Sequence, residues 1–312
     1  MSNKVATTGF LNDFHSGSNV SLMHPDAYNS DGERSVNMNK YQEGLWNYWK
    51  ELAKNWKGKL DCLVLNGDLC ELMMPRNRMT ECWTGNPIDQ VMNVVRLIDM
   101  IKPKKCYIIR GTPYHVDSDG LHVEELVGKY LTKGFNGGDD KEDYDEQDNS
   151  DKYEYYKGIK PVTKCVKYRG RYALEFRLIN LAPQKAKPKV WHITHHMGST
   201  GAWQYRGTAP SKAMSTLMLN ESSFIDRKIW NRIFGIARAH VHHFWYEESH
   251  SRVMLVNPAW QLQTPFMFKV MPENVPDIGG TLVYHHSDGH FEKKKYLMSN
   301  DVRRPPVFRG IE

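Results

Sequence analysis

Short apolar runs recur along the chain, and five of them end on residue types that bind cations. Lys4 to Asn12 runs into Asp13-Phe14-His15, and Leu60 to Asn66 runs into Gly67-Asp68. Lys105 to Arg110 leads to Gly111-Thr112-Pro113-Tyr114-His115. Lys189 to Thr194 leads to His195-His196, and Arg232 to Arg238 leads to Ala239-His240-Val241-His242. A continuous apolar run of this length, stopped by glycine or a polar residue, reads as a buried strand reaching the edge of a sheet. In open α/β sheets that carboxyl edge is where sites collect.

Between these runs the period changes to that of a helix. Leu45, Trp49, Leu52 and Trp56 are spaced four, three and four apart, which predicts a helix over Met38 to Trp56 with one apolar face for the core. Val91, Val94, Val95, Ile98 and Ile101 predict a second over Asp89 to Ile101, stopped by Pro103. Val123 to Leu131 and Ser211 to Asn220 are predicted helices as well. The alternation of Tyr172, Leu174, Phe176 and Leu178 predicts antiparallel strands within Tyr153 to Asn180. Farther on, strands are predicted over Phe244 to Glu248, Val253 to Asn257, Phe266 to Val270, Thr281 to His286 and His290 to Leu297. The first third thus reads strand-helix-strand-helix-strand, the pattern of a parallel sheet with helical crossovers. The expected fold class is α/β, with two sheets and helices outside them. No internal break divides the 312 residues, so one domain is expected over 1–312.

Charge changes the picture in one place. The net charge is +6, but Asp139 to Glu154 holds nine acidic residues and two lysines, a local −7, which leaves +13 on the rest. The stretch around 134–152 is therefore expected as an acidic, mobile insertion with little to bury. The basic remainder suits a phosphate-rich partner or simply keeps the protein soluble. No apolar run reaches membrane-spanning length and the first residues lack a signal-peptide core, so no membrane partner is expected. Five cysteines without paired spacing point to reduced thiols, hence a cytoplasmic setting, each acting as a small apolar residue.

Asp13, His15, Asp68, His115, His195, His240 and His242 all follow apolar runs. A mixed histidine and carboxylate set without thiolates suits a borderline divalent metal. In this order and placement, the five segments resemble the calcineurin-like metallophosphoesterase superfamily, whose D-x-H, GD, GNH, lone H and GHxH motifs stand at strand ends. The resemblance covers roughly residues 4 to 260. It implies an αββα sandwich of two mixed sheets flanked by helices and a hydrolase of phosphate mono- or diesters, with a nucleotide or nucleic acid as candidate substrate.

The resemblance also implies a site with two divalent ions (Mn²⁺, Fe²⁺ or Zn²⁺), in which water activated between the two attacks phosphorus. Asp68 is then the bridging carboxylate. Asp13, His15 and His242 complete one ion, and His195 and His240 the other. His115 is the proton donor to the leaving group, the catalytic residue of the set. The third motif departs from the pattern. Thr112 stands where the family has a ligating asparagine, and His115 is displaced by two residues, so Thr112, water or His115 itself is left to fill that ligand position. His196 competes with His195, which directly follows its strand. Ala239 replaces the glycine of the last motif. Cys70 and Glu71 are expected as supporting groups beside Asp68. Arg206 and Arg238 could contact a phosphate, although surface charge is the plainer reading, and His243, His285, His286 and His290 are read as non-catalytic. The departure at Thr112 also motivates the alternative of a catalytically inactive scaffold or interaction protein.

Overall fold

The computed structural model describes residues 5–72, 81–113, 122–135, 153–198, 203–219, 233–249, 252–270, 272 and 274–299. His115 and nearly all of the acidic insertion fall outside them.

In chain order the elements are β1 (Val5–Leu11), β2 (Tyr28–Asn29), β3 (Arg34–Ser35), α1 (Lys40–Trp56), β4 (Cys62–Asn66), α2 (Pro87–Ile101), β5 (Lys105–Ile109) and α3 (Val123–Lys133). Then come β6 (Lys164–Cys165), β7 (Ala173–Leu174), β8 (Phe176–Asn180), β9 (Val190–Thr194) and α4 (Thr208–Leu219). The chain continues with β10 (Ile233–Arg238), β11 (Trp245–Ser249), β12 (Arg252–Val256), α5 (Pro265–Val270), β13 (Gly279–His286) and β14 (Phe291–Leu297).

The starts of α1 and α2 follow capping chemistry rather than hydrophobicity. Asn39 caps α1, accepting from the backbone N–H of Tyr41 and Gln42, while the Gln42 side chain accepts from the Asn39 N–H. Asn86 caps α2 with Pro87 in the first turn, so that helix begins two residues before its predicted start. At its other end Lys102 takes a left-handed conformation before Pro103.

β1, β4 and β5 are parallel at the centre of the first sheet, whose order is β14-β13-β1-β4-β5-β6, with β7 also pairing β5. β13 and β14 add antiparallel strands on one side. The second sheet runs β11-β12-β10-β9-β8, parallel in its middle and antiparallel at both margins. Three apolar clusters define the layers. One, built on Trp49, Trp56, Val91, Ile98 and Val127, packs α1, α2 and α3 on the outer face of the first sheet. A second, with Phe10, Val64, Ile109, Trp191, Ile193 and Leu255, lies between the sheets. A third seats Met214 of α4 against Ile236, Met254 and Val256 on the outside of the second sheet. The result is an αββα sandwich. Cys62, Cys70, Cys106 and Cys165 are buried within these clusters. Among the described residues no helix is long and apolar enough to cross a membrane.

Two sequence expectations fail. Phe266 to Val270 is helical, not a strand. Thr264 accepts from the Met267 N–H through its hydroxyl and from the Phe268 N–H through its carbonyl, and Pro265 opens the helix. This capping signal overrides the β-propensity of the alternating Phe266, Phe268 and Val270, all exposed. Within Tyr153 to Asn180, β8 is the one strand that joins an antiparallel ladder, with β9, beside single antiparallel bridges at Tyr168–Arg171 and Phe135–Ile159. β6 and β7 pair parallel to β5 instead, and Glu154–Tyr156 is a 3₁₀ turn. Alternation reports a half-buried strand but not its partner, and here the segment crosses from one sheet to the other.

Candidate metal centre

The register of the first sheet lays two loops side by side. β1 and β4 run parallel with Leu11 opposite Leu65. Beyond their ends the pairing persists: Asp13 N–H donates to Gly67 O at 3.0 Å and His15 N–H to Asp68 O at 3.0 Å. The second sheet delivers the remaining donors, since β9 ends at His195 and the Ala239 N–H after β10 donates to His195 O at 3.0 Å. Close approach fixes two glycines. A Cβ at Gly67, whose φ is +80°, would fall 2.5 Å from His195 Nδ1, and one at Gly111 would fall 2.0 Å from Asp68 Oδ1. The donors themselves bend sharply: Asp13, His15, Asp68, His240 and His242 all have φ between +44° and +73°. Left-handed backbone is disfavoured for residues with a Cβ, and such outliers gather at functional sites.

The side chains converge as two adjoining triads, Asp13-His15-His242 and Asp68-His195-His240, in each of which donor atoms lie within 4.8 Å of one another. Asp13 Oδ1 lies at their seam. It is 3.3 Å from His242 Nε2, 3.8 Å from His15 Nε2 and 3.7 Å from His195 Nε2. It is buried and accepts no hydrogen bond, whereas Asp13 Oδ2 accepts from Asn12 Nδ2 and from the His240 N–H. In the second triad His195 Nε2 is 2.9 Å from Asp68 Oδ2, and His240 Nδ1 is 4.0 Å from the same oxygen.

Outer contacts aim the rings. His195 Nδ1 donates to Asn66 O at 2.6 Å, which turns its Nε2 toward the carboxylates. His15 Nδ1 meets Glu71 Oε2 at 2.7 Å, which does the same for its Nε2, and that nitrogen faces His242 Nε2 at 3.2 Å. Carboxylate or carbonyl partners on the far nitrogen are the usual support of metal-binding histidines. Gln261 Nε2 in turn holds Glu71 Oε2 at 3.1 Å.

Electrostatics follow from this packing. Burial opposes charge on Asp13, but His242 and His195 outweigh it and hold the carboxyl well below the usual range. Burial likewise opposes a charged His195, yet Asp68 and Asp13 raise it to about 9. His15 is raised by Glu71 against its burial, whereas burial wins at His242 and lowers it. The site is therefore a negatively biased, water-poor pocket that gathers positive charge, and its oxygen and nitrogen donors could hold divalent cations.

Thr112 does not project as a separate donor. Its N–H donates to Asp68 Oδ1 at 2.6 Å and its hydroxyl to the same oxygen at 3.2 Å, so it orients Asp68. His196 is exposed and packs its ring on His240, with centroids 4.5 Å apart, while His195 is buried in the cluster. His115 lies outside the described residues. Arg238 is half-buried and donates to Ala237 O and His192 O, and Arg206 faces Asn274 and Asp277. His243 turns its Nδ1 to Val241 O, and His285 accepts from Trp191 in the core.

Sequence reasoning missed Glu124, which is buried beside Gly111 and accepts from its N–H at 3.2 Å. Burial and then Asp68 push its carboxyl up to about 7. The signal was present: Glu124 shares a helical face with Val127 and Leu131, which marks a carboxylate on the core side. Asn12, missed as well, was readable only as the residue before Asp13.

No family model and no curated protein matches the chain. In fold it is similar to wild-type Vps29 complexed with Zn²⁺ from Entamoeba histolytica, at 8% identity and TM-score 0.36 over 93% of this chain and 98% of that one. It is also similar to Vacuolar Protein Sorting 29 from Cryptosporidium parvum, at 10% identity and TM-score 0.34 over 95% and 99%. A third likeness is to an archaeal phosphodiesterase, at 8% identity and TM-score 0.37 over 93% and 99%.

Proposed function

We propose that the chain is a metal-dependent phosphoesterase working through two divalent cations held at this cluster. The observation that carries the reading is Asp13 Oδ1, a buried carboxylate oxygen without a hydrogen-bond donor, within 3.8 Å of three imidazole Nε2 atoms. A buried, unsatisfied anionic oxygen is costly unless a cation belongs beside it. Asp13, His15 and His242 would hold one ion and Asp68, His195 and His240 the other, with Asp68 the carboxylate that would serve both. The pair of ions supplies Lewis-acid stabilisation of phosphoryl charge and an acidified water nucleophile.

The chain's own residues prepare that chemistry. Glu71 and the Asn66 carbonyl keep the ring protons of His15 and His195 on Nδ1, so both Nε2 lone pairs face the cluster. Thr112 pins Asp68, and the His240 N–H and Asn12 pin Asp13 Oδ2, leaving its Oδ1 exposed to the ions. His115 gives a proton to the leaving oxygen. The basic body outside the acidic insertion favours nucleotide or nucleic-acid esters.

The test is a panel of phosphate monoesters, diesters, cyclic nucleotides, DNA and RNA, run with Mn²⁺, Ni²⁺ or Zn²⁺ and again after chelation. Turnover of at least one class, lost with the metal, is expected. No turnover with both ions bound would turn the reading to a non-catalytic scaffold.

A further inference from the structure

The hairpin joining β13 and β14 carries a separate group of histidine and carboxylate donors. β13 runs antiparallel to β1 with His286 opposite Val5, so this hairpin lies at the pole opposite Asp13. The eight-residue step from Val5 to Asp13 places the two clusters on the order of 25 Å apart at strand rise. A short turn closes the hairpin. The His286 N–H donates to His290 O at 3.0 Å, the Gly289 N–H donates to His286 O at 3.0 Å, and Gly289 takes φ +95°. Asp288 Oδ1 accepts from the His290 N–H at 2.9 Å. His290 and Glu292 are two apart on an extended segment and share a face. His286 reaches the same point from across the turn.

We propose that His286, His290 and Glu292 form a further site for a borderline divalent transition-metal ion, of the Zn²⁺ type, independent of the central cluster. Both imidazole Nε2 atoms come close to one oxygen: His286 Nε2 is 3.2 Å and His290 Nε2 3.3 Å from Glu292 Oε1. Ligands at about 2.0–2.2 Å around a tetrahedral ion stand roughly 3.3–3.5 Å from one another, so these spacings are edges of such a site. His286 Nε2 is buried and, despite that short approach, has no hydrogen bond. Two lone pairs directed at a common centre have this misaligned geometry; an N–H directed at an oxygen does not.

The neighbouring charges strengthen the assignment. Glu292 shares its face of β14 with Lys294, two residues on, so one ammonium group is at hand for its carboxylate. Lys294 does not take it and lies over the Tyr296 ring at 5.0 Å, while Lys293 and Lys295 leave from the opposite face, over Tyr246 and Phe244. Glu292 is committed to the two imidazoles. Two nitrogens and one oxygen with solvent access leave a fourth position for water, a donor set that prefers Zn²⁺, Ni²⁺ or Cu²⁺ over Ca²⁺ or Mg²⁺.

Zn²⁺ titration of the full chain, followed by the histidine ring resonances, tests the site. The His286 and His290 signals are expected to shift together and saturate at one equivalent beyond those taken by the central histidines. His290→Ala should abolish the His286 shift, reduce bound Zn²⁺ by one equivalent and leave any hydrolytic rate unchanged. Glu292→Gln should weaken the shift at least tenfold. An unmoved His286 signal at millimolar Zn²⁺, or the same midpoint in His290→Ala, would overturn the assignment. Because these signals are read apart from the central histidines, failure here and failure of the phosphoesterase reading give different results.

Discussion

The central cluster and the β13–β14 hairpin use the same donor types in opposite settings. At the centre, Asp13, Asp68 and His195 are almost fully buried, five donors stand on left-handed backbone, and Glu71, Asn66, Thr112 and Asn12 hold the donor groups from behind. At the hairpin, His290 and Glu292 are more than half exposed along their side chains, and the backbone of His286, His290 and Glu292 is unstrained. Donor identity is therefore the smaller part of a reactive site. Water exclusion and fixed orientation, which a reactive site needs, are present at the central cluster and lacking at the hairpin.

Substitutions break this contrast in graded fashion. The largest effect is expected at Asp68. If Asp68 is the shared carboxylate of the proposed centre, Asp68→Asn should lower turnover about 10³-fold or more. Metal analysis should show loss of at least one ion, and full loading at an unchanged rate would remove Asp68 from its role. Next is His115→Ala. A lost general acid costs about 10²-fold or more on esters with a basic alkyl leaving group and far less on nitrophenyl esters, with both ions retained. Equal slowing on both esters with reduced metal would make His115 a ligand instead. Glu71→Gln tests the support behind His15 without touching a donor, and about 10–100-fold in metal affinity or activity is expected to go. Among the described residues no carboxylate or carbonyl is seen behind the hairpin imidazoles in the way Glu71 stands behind His15, so an equivalent substitution has no target there.

pH sharpens the comparison from another side. His15 and His195 are raised because carboxylates face them, whereas burial, with Lys189 and His286 adding to it, lowers His285 to about 4. Trp191 Nε1 donates to His285 Nε2 at 3.0 Å, which requires that nitrogen to be unprotonated. A folded-state value below the unfolded one, near 6.5, stabilises the neutral form. That stability is complete above about pH 6.5 and is lost as pH falls toward 4, by no more than about 3 kcal/mol. Chemical denaturation across this range should show the loss in the wild type and less of it in His285→Gln. The smallest effect belongs to the acidic insertion. Replacing residues 137–150 with a short glycine-serine linker should leave Tm almost unchanged, since the segment has little apolar surface to bury. A drop of several degrees would show it packed.

The strands that build the sandwich were legible because their apolar runs are unbroken and bounded by turn residues. Asp13, His15, Asp68, His195, His240 and His242 were legible because each interrupts such a run at its end. Asn12 was not, and Glu124 was legible only as a carboxylate on the core face of its helix, since nothing in local spacing shows which loop will arrive beside either of them. The helix at Pro265 was hidden by the alternation of Phe266, Phe268 and Val270, although Thr264-Pro265 announces it. The crossing of β7 and β8 between sheets depends on partners far away in sequence and has no local signature.

The left-handed backbone at Asp13, His15, Asp68, His240 and His242 carries a consequence for how the protein would drift. Each of these conformations costs of order 1 kcal/mol or more for a residue with a Cβ and almost nothing for glycine. Under selection for thermal stability alone, glycine would be favoured at these positions and the donor groups would be erased one at a time. Laboratory evolution by heat challenge alone should show that erosion, and a requirement for bound metal during the challenge should arrest it.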